Sequence, residues 1–159
     1  MFEDVKMPEG MSPQMLEHLM YPKNYGKLDD ADGVGVALDE KTGEYVIFYT
    51  KLKNDIIEDV RFATNGCQDT VVIGSMYTEM IKGNDTEYAQ KAIAKMHDKL
   101  GKLSAQQQIC ADIVFTAFIA SLKNYENRQN GHDEELHALK MKESCEVKED
   151  ETKGEENDK

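Results

Sequence analysis

Two stretches separated by three residues decide the class of this chain. EYVIFYTKL (44–52) and IIEDVRFAT (56–64) are rich in β-branched and aromatic residues, which fit a pleated, half-buried surface. The three residues between them, Lys53, Asn54 and Asp55, leave room for a hairpin turn and nothing longer. In the second run Ile56, Val60 and Phe62 alternate with Ile57, Asp59 and Arg61, which predicts one face in and one face out. A weaker run, GVGVALD (33–39), supplies a third strand, because two strands alone make a marginal sheet.

After Thr64 the period changes from two to that of a helix. In DTVVIGSMYTEMIKG, Ile73, Met76, Tyr77, Met80 and Ile81 share a stripe, with Asp69 as the expected cap and Gly83 as the stop. DTEYAQKAIAKM predicts a second helix capped by Asp85 or Thr86, with Tyr88, Ala92, Ile93 and Met96 inward. A third helix, from about Ala105 to Asn127, lines up Cys110, Ile113, Val114, Ala117, Phe118, Leu122 and Tyr125. Upstream, MSPQMLEHLM (11–20) reads as a short helix with Ser12 at the N-cap and Pro13 at its first position, stopped by Pro22 and Gly26. Strands first and helices after is the α+β pattern, here a three-stranded antiparallel sheet with helices packed on one face.

Charge marks the expected domain boundary. From Gln129 to Lys159 eleven Asp and Glu stand against five Lys. Such a segment buries too little apolar surface to offset its ordering entropy. Residues 1–128 are therefore read as the domain and 129–159 as an acidic, disordered tail, with at most a short helix in DEELHALKMKESCEVKE. The net charge of −12 argues against a nucleic-acid backbone as partner. No run approaches the roughly 18–20 apolar residues of a membrane span, and a soluble, cytoplasmic protein is expected. Three cysteines are too few for a disulfide framework, so they are read as reduced thiols or ligands.

Cys67 lies on no stripe. It follows Gly66, whose backbone freedom suits a turn, and precedes a helix whose free amides and dipole favour an anion. That position predicts a depressed thiol pKa, opposed by neighbouring Asp69, and suits a metal ligand or a sulfur acceptor. Cys110 falls on an apolar stripe, a common place for a buried free cysteine as well as for a ligand. Cys145 is an isolated thiol in the acidic segment. His18, His97, His132 and His137 have no ligand spacing with one another or with the cysteines. No glycine-rich phosphate loop, serine triad or paired-carboxylate signature is present.

The order of motifs, YPKNYGKLDDADGVG, a hairpin, IIEDVRFATNGC, SMYTEMIKG and a cysteine opening the last long helix, resembles the IscU/NifU-type iron–sulfur cluster assembly scaffolds. The resemblance spans residues from about 15 to 127. Pro22, Asn24 and Gly26 match the P-x-N-x-G stretch, Asp32 and Gly33 the following turn, and Gly66–Cys67 the central cysteine. It implies an assembly protein rather than a stand-alone enzyme, a [2Fe–2S] cluster or iron as cargo, with zinc as an alternative, and a cysteine desulfurase as partner. The ligand set is incomplete. KTGEY puts Thr42 where the family has its first cysteine and Glu44 where it has an aspartate, and Ile109 replaces the histidine beside Cys110. LSAQQ (103–107) stands where some members carry an Hsp70 docking motif, which removes the basis for docking by that route.

The site residues implied are thus Cys67, Cys110 and Glu44, one ligand short of tetrahedral zinc and further short of a four-ligand cluster. Three repairs are open: a homodimer in which each chain gives Cys67 and Cys110, Cys145 joining from the tail, or a fold kept without its chemistry. The last corresponds to a metal-free regulatory paralogue docking on the desulfurase or a complete scaffold. A Cys67/Cys110 redox pair is a further alternative.

Overall fold

The computed structural model describes residues 12–100 and 104–141, and runs α1 (Pro13–Met20), β1 (Gly33–Asp39), β2 (Glu44–Lys53), β3 (Ile56–Thr64), α2 (Gln68–Ile81), α3 (Thr86–Leu100), α4 (Ala105–Gln129) and β4 (His137–Lys140). The hairpin forms as expected. Asn54 and Asp55 both take positive φ, 54° and 67°, the conformation of a two-residue turn whose twist matches the strands it joins. A register shift at Lys51/Leu52 sends Ile57, and not Ile56, to the inside: Ile57 is fully buried whereas Ile56 is exposed. The strict alternation read over 56–62 breaks at that irregularity.

The sheet has four strands, in the order β3-β2-β1-β4, with β4 parallel to β1. This corrects the three-stranded expectation and moves the end of the fold from residue 128 to at least Met141, whose amide donates to Leu38 O at 2.9 Å. HALK is short and half polar, so its own composition gives no strand signal. What places it is Arg128 on α4, whose guanidinium donates to the carbonyls of Ala31, Asp32, Glu134 and Glu135. Residues 142–159, including Cys145, lie outside the described residues.

α4 lies directly on β1. A Cβ at Gly33 would collide with Ser121 O, and one at Gly35 with Ser121 N, so the two glycines set how near the helix comes. Facing side chains from α2, α4 and the sheet form the core. Phe48 meets Phe118 at a ring distance of 5.8 Å, Tyr77 meets Phe118 at 5.5 Å, and the Tyr77 hydroxyl donates to Ala89 O at 2.7 Å. That bond satisfies a buried phenol that would otherwise be costly. Because α4 lies along β1 with Ser121 over Gly33 and Gly35, its N-terminal turns sit at the end of the sheet where β1 gives way to β2. No helix among the described residues is long and apolar enough to cross a membrane.

Candidate functional site

β3 leads into α2 through Asn65 and Gly66, and this turn is stitched to the start of β2. Asn65 accepts from Tyr45 N at 2.8 Å and donates to Gly43 O at 3.1 Å. Thr64 Oγ1 donates to Tyr45 O at 2.6 Å and accepts from Gly66 N at 2.9 Å. On the outer side, Tyr25 Oη donates to Thr64 O at 2.9 Å. Tyr45 N and O, Gly43 O, Thr64 O and Gly66 N are thus satisfied without the thiol.

Cys67 is the N-cap of α2, which corrects the assignment of that cap to Asp69; its side chain makes no capping bond. Glu44, reaching across from β2, accepts from Cys67 N through Oε2 at 3.1 Å. Gly66 has no positive φ, and a Cβ on it would displace the Glu44 carboxylate, the end of a flexible side chain. Glu44 is therefore beside Cys67, engaged with its backbone.

The Cys67 residue is exposed, and Sγ lies 3.9 Å from Thr70 Oγ1. Its thiol pKa is raised, against the sequence expectation of a depressed one. Partial desolvation of the sulfur is the main cause, and the Cys110 thiol adds to it; the amides of Thr70 and Asp69 and the Thr70 hydroxyl pull the other way without prevailing. The helix terminus favours the anion, but desolvation costs more here. Cys110, in the second turn of α4, is fully buried and close enough to Cys67 to disfavour its ionisation. The structure thus brings Cys67, Cys110 and Glu44 to one end of the sheet.

The two positions where the family pattern is broken serve other ends. Thr42 Oγ1 accepts from Glu44 N at 3.2 Å and so shapes the β1–β2 turn. Ile109 lines an open groove of about 640 Å³ with Ile93, Phe115, Ile119, Leu139 and Met141. Among the described residues no group of three or more His, Cys, Asp or Glu is arranged to hold a metal ion. Two thiols, one of them buried, and a carboxylate bonded to an amide do not complete a cluster site in this part of the chain.

One polar cluster escaped the sequence reading. His18 is buried between α1 and α2, with Nδ1 2.6 Å from Ser75 Oγ and Nε2 3.3 Å from Glu79 Oε1. Ser75 Oγ also accepts from Lys23 N at 2.7 Å, so the hydroxyl is bonded on two sides. Since Ser75 is fully buried, this cluster ties α1 to α2 and offers no open nucleophile. Spacing between histidines carries no such signal, since the partners lie 57 residues apart.

The model of the NifU-like N terminal domain family matches residues 11–132. This chain belongs to that family. It is 36% identical over 124 residues to the iron–sulfur cluster assembly scaffold protein IscU of Aquifex aeolicus, covering 76% of this chain and 79% of that protein. It is 34% identical over 136 residues to the scaffold protein IscU 1 of Archaeoglobus fulgidus, covering 85% and 88%. With iron sulfur cluster assembly protein 1 of Trachipleistophora hominis it shares 30% identity over 120 residues, 74% and 86% of the two chains. The family match ends at residue 132, before β4 begins at His137.

Proposed function

We propose that this protein works in iron–sulfur cluster assembly, and that the end of the sheet carrying Cys67, Cys110 and Glu44 is where iron or sulfur is handled. The observation that supports this most is an accessible thiol with a second thiol within electrostatic reach, in a member of a family whose relatives are named as assembly scaffolds. Thiolate sulfur is the donor that iron–sulfur clusters and zinc take well. In this reading the protein is a carrier and not an enzyme. A [2Fe–2S] cluster or iron is its cargo, with zinc as an alternative, and a cysteine desulfurase of the cytoplasm is the source of sulfur. Cys67 is the accessible donor or sulfur acceptor and Cys110 the second thiol. Glu44 holds the Cys67 turn and has its other oxygen left for a metal.

A second reading, a metal-free paralogue that docks on the desulfurase or on a complete scaffold, is favoured by the lack of any three-donor group among the described residues. Anaerobic reconstitution with iron and sulfide, followed by visible absorption and a metal count, separates the two. Cluster absorption that Cys67→Ser abolishes is the expected result. A colourless protein free of iron and zinc, still bound by the desulfurase with unchanged affinity after Cys67→Ser, establishes the docking reading instead.

A further inference from the structure

Two asparagine–glycine pairs occur in this chain, Asn65–Gly66 at the thiol end of the sheet and Asn130–Gly131 at the end of α4. Such a pair can modify itself. The glycine nitrogen attacks the asparagine side-chain carbonyl carbon, a five-membered succinimide closes, and the side-chain nitrogen leaves as ammonia, taking the proton of the glycine amide. Water then opens the ring at either carbonyl, leaving aspartate or, with the main chain rerouted through the side chain, isoaspartate. One water is consumed and one ammonia released, and no other reactant is needed. Glycine favours the attack because no side chain crowds its nitrogen. By sequence the two pairs are equivalent, and the fold makes them different.

At Asn65 both reacting groups are tied to other partners. Its Oδ1 accepts from Tyr45 N at 2.8 Å, its Nδ2 donates to Gly43 O at 3.1 Å, and Gly66 N donates to Thr64 Oγ1 at 2.9 Å. Asn130 and Gly131 are both exposed, and among the described residues no hydrogen bond holds the Asn130 side-chain amide. Only the attacking nitrogen is engaged there, in the last turn of α4, where Gly131 N donates to Arg128 O at 3.1 Å; helix ends of this kind fray. We propose that Asn130–Gly131 is a site of spontaneous deamidation that loosens β4, and that the bonds on Asn65 shield the Cys67 turn from the same reaction. The consequence follows from what flanks residue 130. Isoaspartate inserts one backbone methylene just after α4, which displaces the bonds from Gly131 N to Arg128 O and from His132 N to Asn127 O. It also sets a new carboxylate at the negative end of the helix dipole. Both changes act on the segment through which Arg128 and Glu134 hold β4 against β1.

The test incubates the full chain in mildly alkaline buffer, once folded and once in guanidinium chloride, and maps the peptides by mass and by labelling with an isoaspartyl methyltransferase. In denaturant the two pairs are expected to react at similar rates. In the folded chain Asn65 is expected to be slowed relative to Asn130 by roughly 5–150-fold, the factor that two additional hydrogen bonds supply, so isoaspartate accumulates at residue 130. Hydrogen exchange of the modified fraction is expected to quicken at the Met141 amide, which donates to Leu38 O, and to stay unchanged at Phe118 in the core. Asn130→Ser is expected to abolish both the modification and the loosening, and Asn130→Asp, which adds the charge without the methylene, to loosen β4 less. Modification of Asn65 as fast as Asn130 in the folded chain overturns the shielding. An Asn130 that reacts only in denaturant overturns the site, and unchanged exchange at Met141 in the modified fraction overturns its action on β4.

Discussion

The two ends of the sheet are held by different means. At one end Arg128 donates to four backbone carbonyls, and Glu134 accepts from Asn124, Asn127 and His137 at 2.8–3.1 Å. There the charged groups are spent on fastening β4 and the start of β1. At the other end the turns are fastened largely by neutral side chains, Asn65, Thr64, Thr42 and Tyr25, with the carboxylates of Glu44 and Asp39 accepting from the amides of Cys67 and Lys41. The thiol of Cys67 is left out of the fastening. The frame at the thiol end is thereby built without using either thiol, while the opposite end uses its strongest donors for structure alone.

The largest effect that tests this contrast is the loss of Arg128. Hydrogen bonds to charged groups are worth about 1.5–3 kcal/mol net, and several go at once, so Arg128→Ala is expected to lower stability by about 3 kcal/mol in urea unfolding. Asn65→Ala, at the other end, is expected to cost only about 1 kcal/mol. Equal losses would break the comparison.

Next comes Gly66→Ala, which drives a methyl group into the Glu44 carboxylate. The carboxylate is the far end of a flexible side chain and can swing aside, so the expected cost in stability is small. Faster exchange of the Cys67 amide with little change in overall stability is expected; an unchanged amide would show that Glu44 does not hold the turn. Cys110→Ala acts on chemistry more than on stability. It removes one of the causes that raise the Cys67 pKa, so the rate of Cys67 alkylation is expected to turn upward at lower pH than in the unaltered protein. A pH profile of iodoacetamide modification checks this.

The smallest effect is acid sensitivity at the Arg128 end. The Glu134 carboxyl is held down to about 2, chiefly by its bond with His137 and then by Asn127 and Asn124, against an ordinary value of 4.5. A group depressed by folding stabilises the fold fully above its ordinary value, and that contribution is lost as pH falls from about 4.5 through about 2. Urea midpoints are expected to drop across this window, and Glu134→Gln is expected to flatten the drop.

Most of the fold was legible because its signals are local. The β-rich runs, the Asn54–Asp55 turn and the helical stripes act over a few residues, and their bounds at 33–39 and 56–64 match β1 and β3. β4 was not legible. Its placement depends on Arg128 and Glu134, polar residues that composition counts as solvated, and on pairing with a strand far away in the chain. At the site, the turn position of Cys67 and the companionship of Cys110 and Glu44 were readable from motif order. The direction of the Cys67 pKa was not, because a helix start announces its dipole in the sequence whereas partial burial of a sulfur depends on the packing of α4. The role of Gly66 was misread for a similar reason: a glycine signals freedom in φ, but the Glu44 carboxylate pressed against it is visible only in three dimensions.

The parallel pairing of β4 with β1 also sets an order of events. Leu38 and Lys140 are about a hundred positions apart, and contacts so distant in sequence form late, after loop closure has been offset by nearer ones. The hairpin, built from local contacts, is favoured to form before it; α4, whose contacts with β1 span nearly as many positions, belongs to the same late stage, and β4 closes as a seam along the sheet edge. A seam made last and only four residues long is also the first to open. Its transient release uncovers the β1 edge of the sheet while leaving the core closed, so that edge works as a clasp whose opening is far cheaper than unfolding.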